Sequence, residues 1–233
     1  NLLSICVFRR ESMKAYSYAF YSQILSATNI IVLAHTLRHW LKQVVHFDLD
    51  LISPLFCSLN EYQPYVAGLA SLWLLTLISI DRLITVVFHN HRIQTLKTRK
   101  TQTALVCLVI SYSLLVNIRL PLNYELRPAS NSTMECHLPK DVFGQSIMFL
   151  LVNLIVSMLI NNIINIKIVS YIYRVRKTNL LRGCNRRCVE MRDRKFAITS
   201  VGLNLTSFIL RLPFGIALLM CAYSSPPSIT YEQ

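Results

Sequence analysis

His35 and His39 stand four residues apart, the spacing that sets two imidazoles on one face of a helix and lets them share a metal ion. No Glu follows the first of them and no third ligand is evident, so a partly wet helix end is the better setting. Cys184 and Cys188 bracket Asn-Arg-Arg. Structural zinc takes four Cys or His ligands, so these two read as free or acylated thiols. His89-Asn90-His91 lies in a basic stretch and reads as a solvated loop. With no phosphate-cradling glycine loop and no Ser-centred elbow, the chain shows no catalytic constellation and is read as a non-enzyme with neither cofactor nor metal.

The chemistry that remains is electrostatic. In TLISIDRLITVV, residues 76–87, Asp81 and Arg82 sit side by side in an apolar run. Arg211 stands alone in another, where a charge must face a wet cavity or a partner. Arg38 and Arg119 lie nearer the ends of their runs, and their long stems are expected to snorkel to the interface.

The elements that must carry these charges are membrane helices. The chain has 233 residues, 53% of them hydrophobic and 15% charged, with positive mean hydropathy, which excludes a disordered tail. A bilayer core needs about 20 apolar residues as a helix. Runs over residues 15–40, 51–88, 103–124, 142–173 and 196–223 meet that length. The net charge of +13 would suit nucleic acid if it formed one face, but the basic residues are gathered into links between the runs. RRESMK, HNHRIQTLKTRK and residues 174–195 are basic and are expected to be cytoplasmic; VVHFDLDLISP and ELRPASNSTMECHLPKD are mixed or acidic and are expected outside. Asn131-Ser132-Thr133 in the last of these is a glycosylation acceptor. Asn204-Leu205-Thr206 also matches but falls in an apolar run, out of reach of a glycosyltransferase. The same orientation puts Cys57 and Cys136 in the oxidising exterior, free to pair. Cys57 and Arg82 are 25 residues apart, about 37 Å along a helix. One helix therefore carries the cysteine outside and the charge pair to the inner surface.

Cys57, Trp73-Leu74-Leu75 and Ser79-Ile80-Asp81-Arg82 resemble the third helix of the rhodopsin-like G-protein-coupled receptors, in a divergent form similar to invertebrate peptide-type receptors. Asn1, Leu25-Ser26-Ala27-Thr28-Asn29, Pro121, Cys136 and Leu212-Pro213-Phe214 resemble elements of helix 1, helix 2, helix 4, the loop after it and helix 6. The resemblance implies an all-α, membrane-spanning seven-helix bundle forming a single receptor domain over residues 1–233. The chain is expected to run from the end of helix 1 (about 1–8) through helix 2 (about 15–41), helix 3 (54–88), helix 4 (101–124), helix 5 (142–175) and helix 6 (193–223) to the start of helix 7 at about 229.

What the resemblance implies about function follows residue by residue. Cys136 is the partner of Cys57. Arg82 pairs at rest with Asp81 and with an acid at the inner end of helix 6, and counting twenty residues back from Pro213 reaches Asp193. Proline at 213 kinks helix 6 and gives it a pivot. An extracellular ligand, with a neuropeptide as the expected class, would bind among Pro64, Gly68, Arg119 and Arg211 and drive a heterotrimeric G protein at the plasma membrane. Pro64 stands where amine receptors carry an aspartate, which argues against a biogenic amine. The chain also departs from the pattern: Leu83 replaces a Tyr, Asn29 a helix 2 aspartate opposite Ser71, Ser111 a Trp, Ser157 a Pro, and Arg211 a Trp. Without its carboxylate the Asn29–Ser71 sodium site is degenerate. The alternatives are a receptor-like protein that does not signal and a transporter or channel bundle; the chain shows no internal repeat of the kind transporters carry.

Overall fold

A computed structural model describes residues 17–45, 53–87, 98–128, 134–137 and 139–182, with single positions at 6, 202, 206, 209 and 220. Its elements are α1 (Ser17–Val45), α2 (Pro54–Val87), α3 (Arg99–Val116), α4 (Arg119–Asn123), the strands β1 (Glu125–Pro128) and β2 (Met134–His137), and α5 (Lys140–Arg182). α1, α2, α3 with α4, and α5 fall on the runs that the resemblance numbers as helices 2, 3, 4 and 5.

Local sequence sets the helix starts. Ser53 accepts from the Phe56 N–H at 3.2 Å, and Pro54 fills the first helical position, where its missing N–H has no intrahelical use. Thr98 caps α3 in the same way, accepting from the Thr101 N–H at 3.4 Å. A single helix over 101–124 is expected from the apolar pattern, yet the structure breaks it after Val116. Pro121 explains the break: it lacks the N–H that would bond to Asn117, and its ring would clash with the Asn117 carbonyl. That carbonyl accepts instead from the Leu120 N–H at 3.0 Å, a tighter turn from which α4 restarts.

Pro54–Thr85, Arg99–Asn123 and Gly144–Arg174 are long and apolar enough to cross a membrane. α1 is less apolar, because its second half carries His35, Arg38, His39 and Lys42. α2 is the hub, packing against α1, α3, α4 and α5. Its core is Tyr21, Ala70, Leu74, Val106 and Val109, drawn from α1, α2 and α3. A second cluster, on α5, is Ile164 and Ile168 with Ile80 and Leu83 of α2 against them. Leu33 and Leu37 on α1, Leu108 and Leu115 on α3, and Ile155, Leu159, Ile163 and Ile166 on α5 turn outward. Leucine and isoleucine in that number on an outer surface match a lipid solvent. β1 and β2 form an antiparallel hairpin with Leu126 opposite Cys136. It is the one non-helical element among the described residues, and no alternating pattern in the link announces it.

Candidate functional site

α2 carries the site from end to end. In its first turn Cys57 is fully buried and disulfide-bonded to Cys136, with Cα atoms 5.8 Å apart. The bond fixes the hairpin against the helix. One turn on, Glu61 pairs with Arg38 of α1 at 2.6 Å, and the same guanidinium nitrogen donates to His35 Nδ1 at 3.0 Å. Arg38 is thus held between two helices, which corrects the expectation of a snorkelling anchor. Charge can stay at this depth because it is paired and hydrogen-bonded. The rings of His35 and His39 stack 6.5 Å apart, and among the described residues no cluster of three metal-ligating side chains occurs.

Deeper along α2, Pro64 and Gly68 are half-buried. Among the described residues a Cβ added at Gly68 would meet nothing within 4 Å. Ser71 is buried and its hydroxyl donates to the Gly68 carbonyl at 2.8 Å; Asn29 is half-buried on α1. Arg119 is exposed at the start of α4 and donates to Gln145 of α5 at 3.4 Å. Asp193, Arg211, Pro213 and Asn131 lie outside the described residues.

The middle of the bundle holds a polar seam that the motifs do not reveal. Asn153, Ser157, Asn161 and Asn165 recur at every fourth position of α5 and so share a face. The Asn153 carbonyl oxygen accepts from Tyr112 Oη of α3 at 2.9 Å and from Trp73 Nε1 of α2 at 3.3 Å, while its amide donates to the Phe149 carbonyl. Trp73 and Tyr112 meet edge to face, 6.1 Å between centroids. Two turns on, the Asn161 amide donates to Thr76 Oγ1 at 3.0 Å and to the Ser157 carbonyl at 2.9 Å. Tyr62 adds a bond from α2 to the Leu114 carbonyl of α3 at 2.7 Å. Each bond joins polar groups that would otherwise face hydrocarbon. The signal that could have found the seam is the four-residue period of short polar residues along an otherwise apolar run.

At the far end Arg82 is 9% exposed, Asp81 is half-buried, and the Asp81 carbonyl accepts from Thr85 Oγ1 at 2.7 Å. Burying a guanidinium at the last turns of a helix is costly, and its helix neighbours Ile80 and Leu83 pack against Ile164 and Ile168 of α5. One helix thus joins a cysteine-tethered end, a hydrogen-bonded polar middle and a buried arginine at the opposite end. The family model described as 7 transmembrane receptor (rhodopsin family) matches residues 1–232.

The chain belongs to the rhodopsin family of seven-transmembrane receptors. It is therefore a multi-pass membrane protein of a family of signalling receptors, and its described helices are part of that bundle. Among curated proteins, none matches the chain. The receptor's leucine at 83, where the family pattern has Tyr, now has a physical account: its side chain packs against the Ile164–Ile168 cluster of α5. Its serine at 157, where the pattern has Pro, is buried and donates to the Leu154 carbonyl at 3.0 Å. Proline at 157 would have lacked the N–H that helical Ser157 carries; serine leaves α5 unbroken across the seam.

Proposed function

We propose that the receptor binds an extracellular ligand, a neuropeptide by class, and activates a heterotrimeric G protein at the plasma membrane. The disulfide end of α2 faces outside and the Arg82 end faces the cytosol, as the basic links require. Ligand enters above Pro64 and Gly68; Arg211 and Arg119 supply cationic contacts for an acidic or carboxylate group. Asp193 holds Arg82 at rest, and residues 193–223 pivot at Pro213 to release it to the G protein, a two-state element biased by ligand. Asn131 carries a glycan outside. Asn29 and Ser71, lacking a carboxylate, do not retain a sodium ion.

One observation carries the proposal. One helix, continuous through Pro64, runs from the Cys57–Cys136 bond to the buried Arg82. It couples the tethered outer end directly to the charged inner end.

Nucleotide exchange on purified heterotrimeric G proteins, with the full chain in lipid vesicles and candidate peptides added, tests this. The wild type is expected to accelerate exchange and Arg82→Ala to lose that acceleration. If neither protein accelerates exchange on any G-protein subtype, the signalling assignment fails and a receptor-shaped protein that does not signal is left; equal acceleration by both would overturn the role of Arg82.

A further inference from the structure

The Arg38 cluster has no part in the mechanism above, yet it brings a carboxylate and an imidazole within hydrogen-bond reach of one guanidinium. Arg38 Nη2 donates both to Glu61 Oε1 at 2.6 Å and to His35 Nδ1 at 3.0 Å. A guanidinium has no acceptor to offer, so His35 Nδ1 must be the unprotonated, accepting nitrogen and the ring must be neutral. A second proton on His35 would occupy that lone pair and set a cation about 3 Å from another. The Arg38 and Glu61 side chains are 15% and 28% exposed, enough for protons to enter and too little for water to screen the charges fully.

We propose that His35, Arg38 and Glu61 form a proton-sensitive latch between α1 and α2. At neutral pH the guanidinium bridges the helices, held on one side by Glu61 and steadied on the other by the imidazole. As pH falls through the histidine range, near 6.5 for the free side chain, His35 gains a proton, its bond to Arg38 breaks, and the two cations repel. The C-terminal half of α1 then loosens from the disulfide-bonded end of α2.

The neighbouring charges do not supply the same switch. On α1, His39 is exposed and stacks on His35. Lys42 lies one turn beyond Arg38 on α1. On α2, Glu61 is the ion-pair partner of Arg38 and Tyr65 follows it one turn on. α3, the other described element against α1, carries Arg99 over Phe20 at the opposite end of α1, Lys100 beside it, exposed Cys107, and Tyr112 bonded to Asn153. The sign follows from linkage. The folded state disfavours the proton that the unfolded chain accepts, so stability is full above the unfolded histidine pKa and is lost as pH falls.

A role for the latch in reception rests on the proposed function; its test does not. Thermal unfolding of the full chain in detergent, without ligand or G protein, is followed from pH 8 to pH 5. The wild type is expected to lose roughly 2–4 °C of Tm on acidification that His35→Gln does not lose. Glutamine keeps a neutral acceptor for Arg38 and cannot titrate. His39→Gln should retain the wild-type loss, and the other histidines are common to all three proteins. Parallel pH profiles for wild type and His35→Gln, or a loss abolished by His39→Gln, would overturn the latch. Failure of nucleotide exchange would leave this result untouched.

Discussion

Asn161 of α5 donates its side-chain amide to Thr76 Oγ1 of α2 across 3.0 Å, and Thr76 in turn donates to the Leu72 carbonyl at 3.1 Å. The bond lies six residues from Arg82 along α2, within the spans of both helices. In lipid neither group can turn to water, so losing one partner strands the other. Helix pairing at this level therefore has a preferred register, set by one side-chain pair over an apolar cluster.

Removing that bond should loosen α5 from α2 by a measurable but modest amount. Thr76→Val keeps the shape of the side chain and deletes the hydroxyl. A loss of about 0.6–2 kcal/mol is expected for an interhelical hydrogen bond in a membrane, and Asn161→Leu should lose no more when added to it. A double-mutant cycle on thermal stability in detergent measures the coupling; additive losses would show that the two side chains do not act as a pair.

Asn153 should matter more than either of its donors. Its single carbonyl oxygen serves Tyr112 and Trp73 together, so Asn153→Leu strands a phenol and an indole at once. The loss expected is about 2–4 kcal/mol, against about 1–2 for Tyr112→Phe, which removes one donor and leaves the other bond in place. The comparison is read from unfolding of each variant, and Tyr112→Phe should have almost no further effect in the Asn153→Leu background. Equal losses for the two single variants would mean the Trp73 bond contributes nothing.

Much of this arrangement was legible in the residues. Apolar runs of membrane length anticipated the described helices, because a bilayer imposes that length on sequence directly. The Cys57 and Arg82 ends of α2 were readable from their spacing and motif. Three features were hidden for separate reasons. The break at Asn117 follows from Pro121, but a proline near a helix end is compatible with either a kink or a stop. The Arg38–Glu61 pair joins residues 23 apart whose helices must first be placed antiparallel. The asparagines of α5 have no charge and no motif, so only their four-residue period marked them, and apolar neighbours masked it. The hairpin was missed because its strands of four residues each are too short for alternation to register.

Leu83 gives a prediction from a departure. The side chain lies against Ile164 and Ile168, and Leu83→Ala would remove methyl groups from that contact and leave a gap beside buried Arg82. For a half-buried leucine the loss should fall near the lower end of the range for core truncations, about 2 kcal/mol. Leu83→Met, which conserves volume, should lose under about 1.5 kcal/mol. Melting temperatures of the two variants decide it, and an unaffected Leu83→Ala would mean that this wall contributes nothing to holding α5.

The disulfide should dominate all of these. Cys57 and Cys136 are 79 residues apart, and closing a loop of that length restricts the unfolded chain by about 4.5 kcal/mol in the chain-entropy account. The bond also holds the hairpin at the end of α2, so its loss acts on the folded state as well. Cys57→Ser, Cys136→Ser and the double variant should therefore fall by the same amount, since either change opens the same bond. Thermal unfolding and the yield of folded protein measure this. A double variant clearly worse than both single variants would show that each cysteine contributes beyond the bond, and single variants indistinguishable from wild type would show that the tether is dispensable for the fold.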